Sequence, residues 1–287
     1  MPLQDNRFLQ FFVAELVGTF ILVFFGLGSV HTAVLMSAQQ GVWQVAVVWG
    51  IAIMLAIYAV GAVSGAHLNP AISLAMTVYG KLSPNKLPTY VSGQLSGAFL
   101  AAACLYLLFA PQLERVELQK QVVRGEVGSE ITACCYGEFF PNPGGLASGT
   151  TPYSSEEHLQ LRTQVPHGLA FLAELFGTTV LGFVVFAVTS NQNKGRPASE
   201  AVPIFIGLTV AALISVIGPL TQACFNPARD FAPRLFSALV GWGFIALPAD
   251  LSWITVYIMA PCLGAILGGG IWQHVIQPLH QGARNNG

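Results

Sequence analysis

Two short stretches place polar, helix-starting residues inside apolar sequence: Asn69-Pro70-Ala71, within GAVSGAHLNPAIS, and Asn226-Pro227-Ala228, within TQACFNPARDF. Asparagine is among the best N-caps, because its side-chain oxygen accepts an orphan backbone N–H, and proline suits the first helical position, where no N–H partner is lost. Each stretch therefore reads as the start of a helix. A helix N-terminus is equivalent to about half a positive charge, and the asparagine amides add N–H donors. Two such starts aimed at one spot would welcome a neutral molecule with acceptor oxygens and repel a cation. The residues ahead of each start, Ser64–Leu68 and Thr221–Phe225, are expected to be extended, with carbonyls free to line a pore. Irregular backbone at membrane depth is tolerated only against protein or a water-filled cavity.

Six further side chains bear on the chemistry. Glu15 and Glu174 lie within apolar runs, where an acid is costly and usually functional. Either they relay protons, or each accepts backbone N–H bonds from the irregular loop of its own half. The strict duplication favours the second role. Arg229 stands where the first copy has Ile72, about one turn from the midplane, where a single fixed cation would repel cations and donate to passing hydroxyls. Asp230 is four residues before Arg234 and pairs with it on one helix face, which would leave Arg229 free for the pore. His67 has no Cys or Asp at metal-ligand spacing, so it is read as lining or supporting its loop rather than as a ligand.

The elements that must hold these residues follow from composition. Of 287 residues 54% are hydrophobic and only 9% charged, with mean hydropathy +0.63, against roughly a quarter charged in soluble domains. Six stretches are apolar over about twenty residues, the length of a membrane span: 8–32, 42–61, 88–109, 167–189, 201–218 and 252–276. Two more, 69–79 and 226–238, reach only halfway across. AELVGT at 14–19 recurs as AELFGT at 173–178, and GAHLNPA at 65–71 is echoed by QACFNPA at 222–228. Two matches at nearly one offset indicate duplication. An odd number of spans separates corresponding points, so the halves are inverted.

The expected fold is an all-α membrane protein, with six transmembrane helices and two re-entrant half-helices in an inverted repeat. The single channel domain 1–287 divides into a first repeat 1–110, a long loop 111–166 and a second repeat 167–287. Basic residues in the short loops (Arg7, Lys81, Lys86, Lys194, Arg196 and Arg284) place both termini in the cytoplasm. The 111–166 loop, with seven acidic and four basic residues, is then extracellular and reads as solvated. Net charge of -1 gives no sign of a nucleic-acid partner. The five cysteines lie in no metal-ligand spacing, so no metal or cofactor is expected. The adjacent Cys134-Cys135 are read as an incidental pair rather than a redox pair on an exposed loop.

The duplicated glutamates, SGAHLNPA and GPLTQACFNPARDF together resemble the aquaporin and aquaglyceroporin family over most of the chain. NPARDFAPRLF, Asp230 in particular, and the loop with VVRGEVGS and a later Pro-Asn-Pro ending at Pro143 are similar to its glycerol-facilitator branch. The resemblance implies a homotetramer in the plasma membrane, one pore per subunit, and passive passage of water, glycerol and small neutral solutes. It puts the selectivity filter on Trp49, Ile214, Ala223 and Arg229. Trp49 and Arg229 suit a glycerol facilitator. Ile214 and Ala223 stand where that branch tends to have Gly and an aromatic, and Tyr257-Ile258 where it often has Pro and an aliphatic residue. A water-dominant or metalloid-acid-passing pore is the alternative within the family. A proton-coupled transporter using Glu15 and Glu174 is the alternative outside it. An ion channel would need a ring of carboxylates or a carbonyl filter such as TVGYG, and an enzyme a nucleophile with a base in reach; neither pattern is present.

Overall fold

The structure is a computed structural model and describes residues 6–144, 160 and 162–282. Six helices in it are long and apolar enough to cross a membrane. In chain order these and the shorter elements are α1 (Arg7–Met36), α2 (Val42–Ser64), the half-helix α3 (Pro70–Val78), α4 (Leu87–Lys120), a single turn α5 (Glu130–Ala133), α6 (His167–Thr189), α7 (Val202–Thr221), the half-helix α8 (Pro227–Ser237) and α9 (Ser252–His280). The half-helices have 9 and 11 residues, about 14 and 17 Å at 1.5 Å per residue, so neither crosses a core of about 30 Å. α3 and α8 enter from opposite faces and meet at their N-termini. The two faces are called below the terminus side and the loop side.

Lipid offers apolar side chains no reason to prefer one another, so helices in a membrane pack where small residues let backbones approach. The duplication shows in these approaches. A Cβ on Gly97 of α4 would lie 2.1 Å from the Leu16 carbonyl of α1, and one on Gly264 of α9 would lie 2.5 Å from the Leu175 carbonyl of α6. Leu16 and Leu175 are equivalent in the repeat. α2 and α7 cross at Gly50 and Gly207, where a Cβ on either would come within 2.7 Å of the other's carbonyl. The halves also interlock: α3 packs against α9 of the second half, and α8 against α4 of the first.

The long loop differs from its expected form in two ways. α4 continues unbroken through Pro111 to Lys120, where Gln121 ends it with φ 57°, so the connecting segment starts ten residues later than 111. From Gly128 to Pro141 the segment is buried rather than solvated. Its apolar residues Ile131, Tyr136 and Phe139 pack with Phe236 and Trp242, and its charges find partners within the fold. Arg124 binds Glu117 through Nε and Nη2 at 2.8–3.1 Å, and Glu130 accepts from the Gly128 N–H at 2.6 Å. A high density of charge marked this segment as watery, but paired charges can be buried. Cys134 and Cys135 are 1% and 0% exposed, so the pair does not lie on an exposed loop.

Candidate functional site

The N-terminus of each half-helix is capped by its own asparagine and tied to the other half by the same residue. Asn69 Oδ1 accepts from the Ala71 N–H at 2.9 Å while its Nδ2 donates to the Phe225 carbonyl at 2.8 Å. Asn226 Oδ1 accepts from the Ala228 N–H at 3.0 Å while its Nδ2 donates to the Leu68 carbonyl at 2.8 Å. Pro70 and Pro227 occupy the first helical position, where no N–H is missed. One amide hydrogen of each asparagine is thus committed to the junction, and an NH2 group has a second to offer.

The residues ahead of each half-helix are not extended as expected. Gly65, Ala66 and Leu68 have φ of 83°, 50° and 55°, and Gln222, Ala223 and Phe225 have 65°, 61° and 52°. The same three positions of each repeat turn left-handed, a conformation that costs a non-glycine residue roughly 1–2 kcal/mol. The buried glutamates hold it in place. Glu15 accepts from Ser64 Oγ (2.6 Å), the N–H groups of His67 (3.0 Å) and Leu68 (2.7 Å), and Gln94 Nε2 (2.7 Å). Glu174 accepts from Thr221 Oγ1 (2.6 Å) and the N–H groups of Cys224 (3.0 Å) and Phe225 (2.9 Å). Tyr90 and Tyr257 complete the symmetry by donating to the Ser64 and Thr221 carbonyls at 2.6 and 3.2 Å. The carbonyls of Gly65, Ala66 and His67, and of Gln222, Ala223 and Cys224, accept no hydrogen bond among the described residues. These six residues line cavities along the axis.

Two cavities follow that axis. The larger, about 430 Å³, opens on the terminus side and is walled by apolar residues such as Ile53, Val185 and Val210 opposite the loop residues Gly65–Asn69 and Ala223–Asn226. The other, about 340 Å³, lies on the loop side. Three residues line both: Trp49, Ile214 and Arg229. They mark the constriction between the cavities, while Ala223 and His67 line the larger cavity only. His67 Nδ1 also lies 3.1 Å from Ser73 Oγ, so this residue both lines the cavity and props its loop.

At the constriction the Arg229 guanidinium sits over the Trp49 indole, 4.3 Å from the ring centroid. A Cβ on Gly26 would lie 2.3 Å from that indole, so a larger residue there would force the ring to shift. Arg234 pairs with Asp230 as expected, at 2.8 Å. Arg229, however, is not left free: it forms a buried ion pair with Glu138 of the long loop. The reason is structural. Glu138 is anchored by its N–H to Asp230 Oδ1 at 2.6 Å and by its carbonyl to Arg234. Gln222 binds the Phe139 N–H and the Cys134 carbonyl at 2.8 and 3.1 Å. The loop thus reaches the axis at Glu138, a residue that no repeat or helical period could single out.

Comparisons with known proteins show the family and the fold. A family model described as "MIP: Major intrinsic protein" matches residues 2–272. The chain is 37% identical to a glycerol uptake facilitator protein of Pseudomonas aeruginosa over 92% of this chain and 88% of that one. It is 34% identical to the glycerol uptake facilitator protein of Escherichia coli K12 (92% and 87%) and 34% identical to a propanediol uptake facilitator of Citrobacter freundii (92% and 91%). The solved structure of the aquaglyceroporin from Plasmodium falciparum superposes with a TM-score of 0.77 at 24% identity, covering 96% of this chain and 99% of that one, and so shares its fold. Six apolar helices, two opposed half-helices and a family match over nearly the whole length lead to one conclusion: this chain belongs to the major intrinsic protein family.

Proposed function

We propose that the protein is a passive channel that conducts glycerol and other small uncharged solutes, together with water, and excludes ions and protons. The observation that carries this reading is the pair of cavities meeting at Trp49, Ile214 and Arg229, in line with the opposed N-termini of α3 and α8. At that constriction Trp49 offers an apolar face to a carbon chain and Arg229 donates to hydroxyls, which replaces the hydrogen bonds a solute leaves behind in water. Unpaired loop carbonyls then accept from the solute on one wall while apolar side chains face it on the other. At the middle the two helix dipoles and the remaining Asn69 and Asn226 amide hydrogens favour an acceptor oxygen and oppose a cation. The family to which the chain belongs supports a channel rather than an enzyme.

Glu15 and Glu174 act here as scaffold. Their oxygens accept three or more donors each, and a proton arriving on either would have to displace one of them. The proposed assembly is a homotetramer in the plasma membrane with both termini cytoplasmic, which makes the loop side extracellular.

Light scattering of proteoliposomes exposed in turn to glycerol, urea and an impermeant sugar tests the reading. Rapid reswelling in glycerol supports it. Fast water flow with glycerol excluded would sink it in favour of a water pore.

A further inference from the structure

His31, near the loop-side end of α1, is fully buried and lines neither cavity. Its ring lies between Phe109 of α4 and Tyr136 of the long loop, with centroids 5.1 and 4.8 Å away. Nδ1 is 2.8 Å from the Leu27 carbonyl. A carbonyl only accepts, so in the neutral ring Nδ1 carries the proton and Nε2 is a bare acceptor. Nε2 has no hydrogen-bond partner among the described residues, and neither has the hydroxyl of Tyr136, which is also fully buried. A neutral imidazole suits this aromatic site. A protonated one does not, because its second N–H and its charge would be buried with nothing to accept them. The ionisable groups of the surrounding elements supply no counter-ion. On α4, Arg115 donates to the Leu35 carbonyl at 3.0 Å, Glu117 pairs with Arg124, and Lys120 is a further cation. Glu130 of α5 accepts from Gly128, Glu138 of the loop pairs with Arg229, and Asp230 of α8 pairs with Arg234. Tyr106, Tyr136, Cys134 and Cys135 complete the cluster and carry no charge in their protonated forms. Among the described residues no carboxylate lies within ion-pair distance of His31.

We infer that His31 is a proton-sensitive latch for the long loop: acid on the loop side lifts the segment around Tyr136 off α1 and lowers solute conductance. The seated loop holds His31 neutral. Once the segment lifts, water reaches Nε2 and the ring takes a proton, so the lifted form binds one proton more than the seated form and acid draws the equilibrium towards it. A histidine in water takes up its proton near pH 6.5, so the effect is absent at pH about 7.5 and grows as the pH falls below about 6.5. The link to the pathway is short in sequence. Glu138, two residues after Tyr136, is the ion-pair partner of Arg229, and Gln222 is held by the Phe139 N–H and the Cys134 carbonyl. Lifting the segment withdraws all three contacts. Arg229, which lines both cavities, is then free to swing across their junction.

The conductance arm of the test rests on the polyol-channel reading, and a second arm does not. Amide hydrogen exchange of residues 131–139 in the purified protein, expressed as protection so that intrinsic pH dependence cancels, is compared at pH about 7.5 and about 5. Glycerol entry into proteoliposomes is followed by light scattering at the same two values. In the wild type, protection of this segment is expected to fall by up to about tenfold per pH unit below 6.5, while that of α2 holds, and glycerol entry falls several-fold. His31→Phe, which puts a ring without a titrating proton into the same aromatic site, keeps both protection and glycerol entry at the lower pH. Protection unchanged by acid in the wild type, or an acid effect of full size in His31→Phe, would overturn the latch. Should His31→Phe fail to assemble, His31→Gln, which also lacks a titrating proton, takes its place. If the wild type passes no glycerol at either pH, it is the polyol reading that fails, and the exchange arm alone decides on the latch.

Discussion

Arg229 shows why one residue type can be read from sequence while its electrostatics cannot. Alone, it would place a net positive charge at the constriction, but Glu138 cancels it. In the channel proposed above, cation exclusion at that point rests on the balance of the pair. Replacing Arg229 by valine leaves a buried carboxylate facing the pathway. A unit charge about 4 Å from a passing cation is worth about 4 kcal/mol at an effective dielectric near 20, well above the 1.4 kcal/mol that corresponds to a tenfold change in rate. Arg229→Val is therefore expected to admit monovalent cations at least about tenfold faster than Arg229→Val/Glu138→Gln, which restores neutrality. Potential-driven cation flux in liposomes reads this directly. Equal leaks in both variants would mean that the fixed charges at this point are not the barrier.

At the scale of elements, the critical units are the two loops that precede the half-helices. Each holds residues at positive φ, including Ala66, Leu68, Ala223 and Phe225, and survives because a carboxylate collects the N–H groups that this conformation turns inward. Removing Glu174 orphans the Cys224 and Phe225 amides and the Thr221 hydroxyl, at roughly 1–3 kcal/mol for each buried donor. Glu174→Ala should therefore lower the unfolding temperature in detergent by several degrees and abolish solute conductance. Glu174→Gln should fall between, because an amide has one accepting oxygen and cannot replace both of the carboxylate's. A Glu174→Ala protein with wild-type melting and conductance would rule out the scaffold role. Full conductance in Glu174→Gln together with loss of a proton-driven component would point to a relay instead.

At the scale of the whole molecule, the inverted halves are not two modules side by side. Each half-helix packs on the third span of the other half, and the long loop folds down onto the second half-helix through Glu138, Gln222 and Arg234. This enclosure has a chemical consequence for Cys134 and Cys135. Burial first, then the neighbouring Cys134 and the charge of Glu117, push the Cys135 thiol well above its ordinary value, so little reactive thiolate forms at neutral pH. A membrane-impermeant maleimide applied to sealed cells should leave both cysteines unlabelled and should modify them only after denaturation. Rapid labelling of the native protein would show that the loop is not seated as described.

The amino-acid sequence by itself determined the parts that depend on composition and short-range pattern. Six spans follow from apolar length, the inversion from a duplicated motif separated by an odd number of spans, and the half-helix starts at Asn69 and Asn226 from capping chemistry confined to three residues. The pair Asp230 and Arg234 was legible because a helix brings residues four apart together. The left-handed turns at Ala66 and Ala223 were not legible, since alanine does not signal positive φ and the turns are held by the Ser64 and Thr221 hydroxyls together with a glutamate from another helix. The burial of the long loop was hidden for a similar reason: charge density reports polarity, not pairing, and Arg124 with Glu117, like Arg229 with Glu138, pairs only once the chain is folded. The junction of the two cavities is therefore a decision of the tertiary structure. Trp49 and Ile214 come to it from two spans and Arg229 from a half-helix, while Glu138 comes from a loop whose position depends on contacts about ninety residues away in sequence.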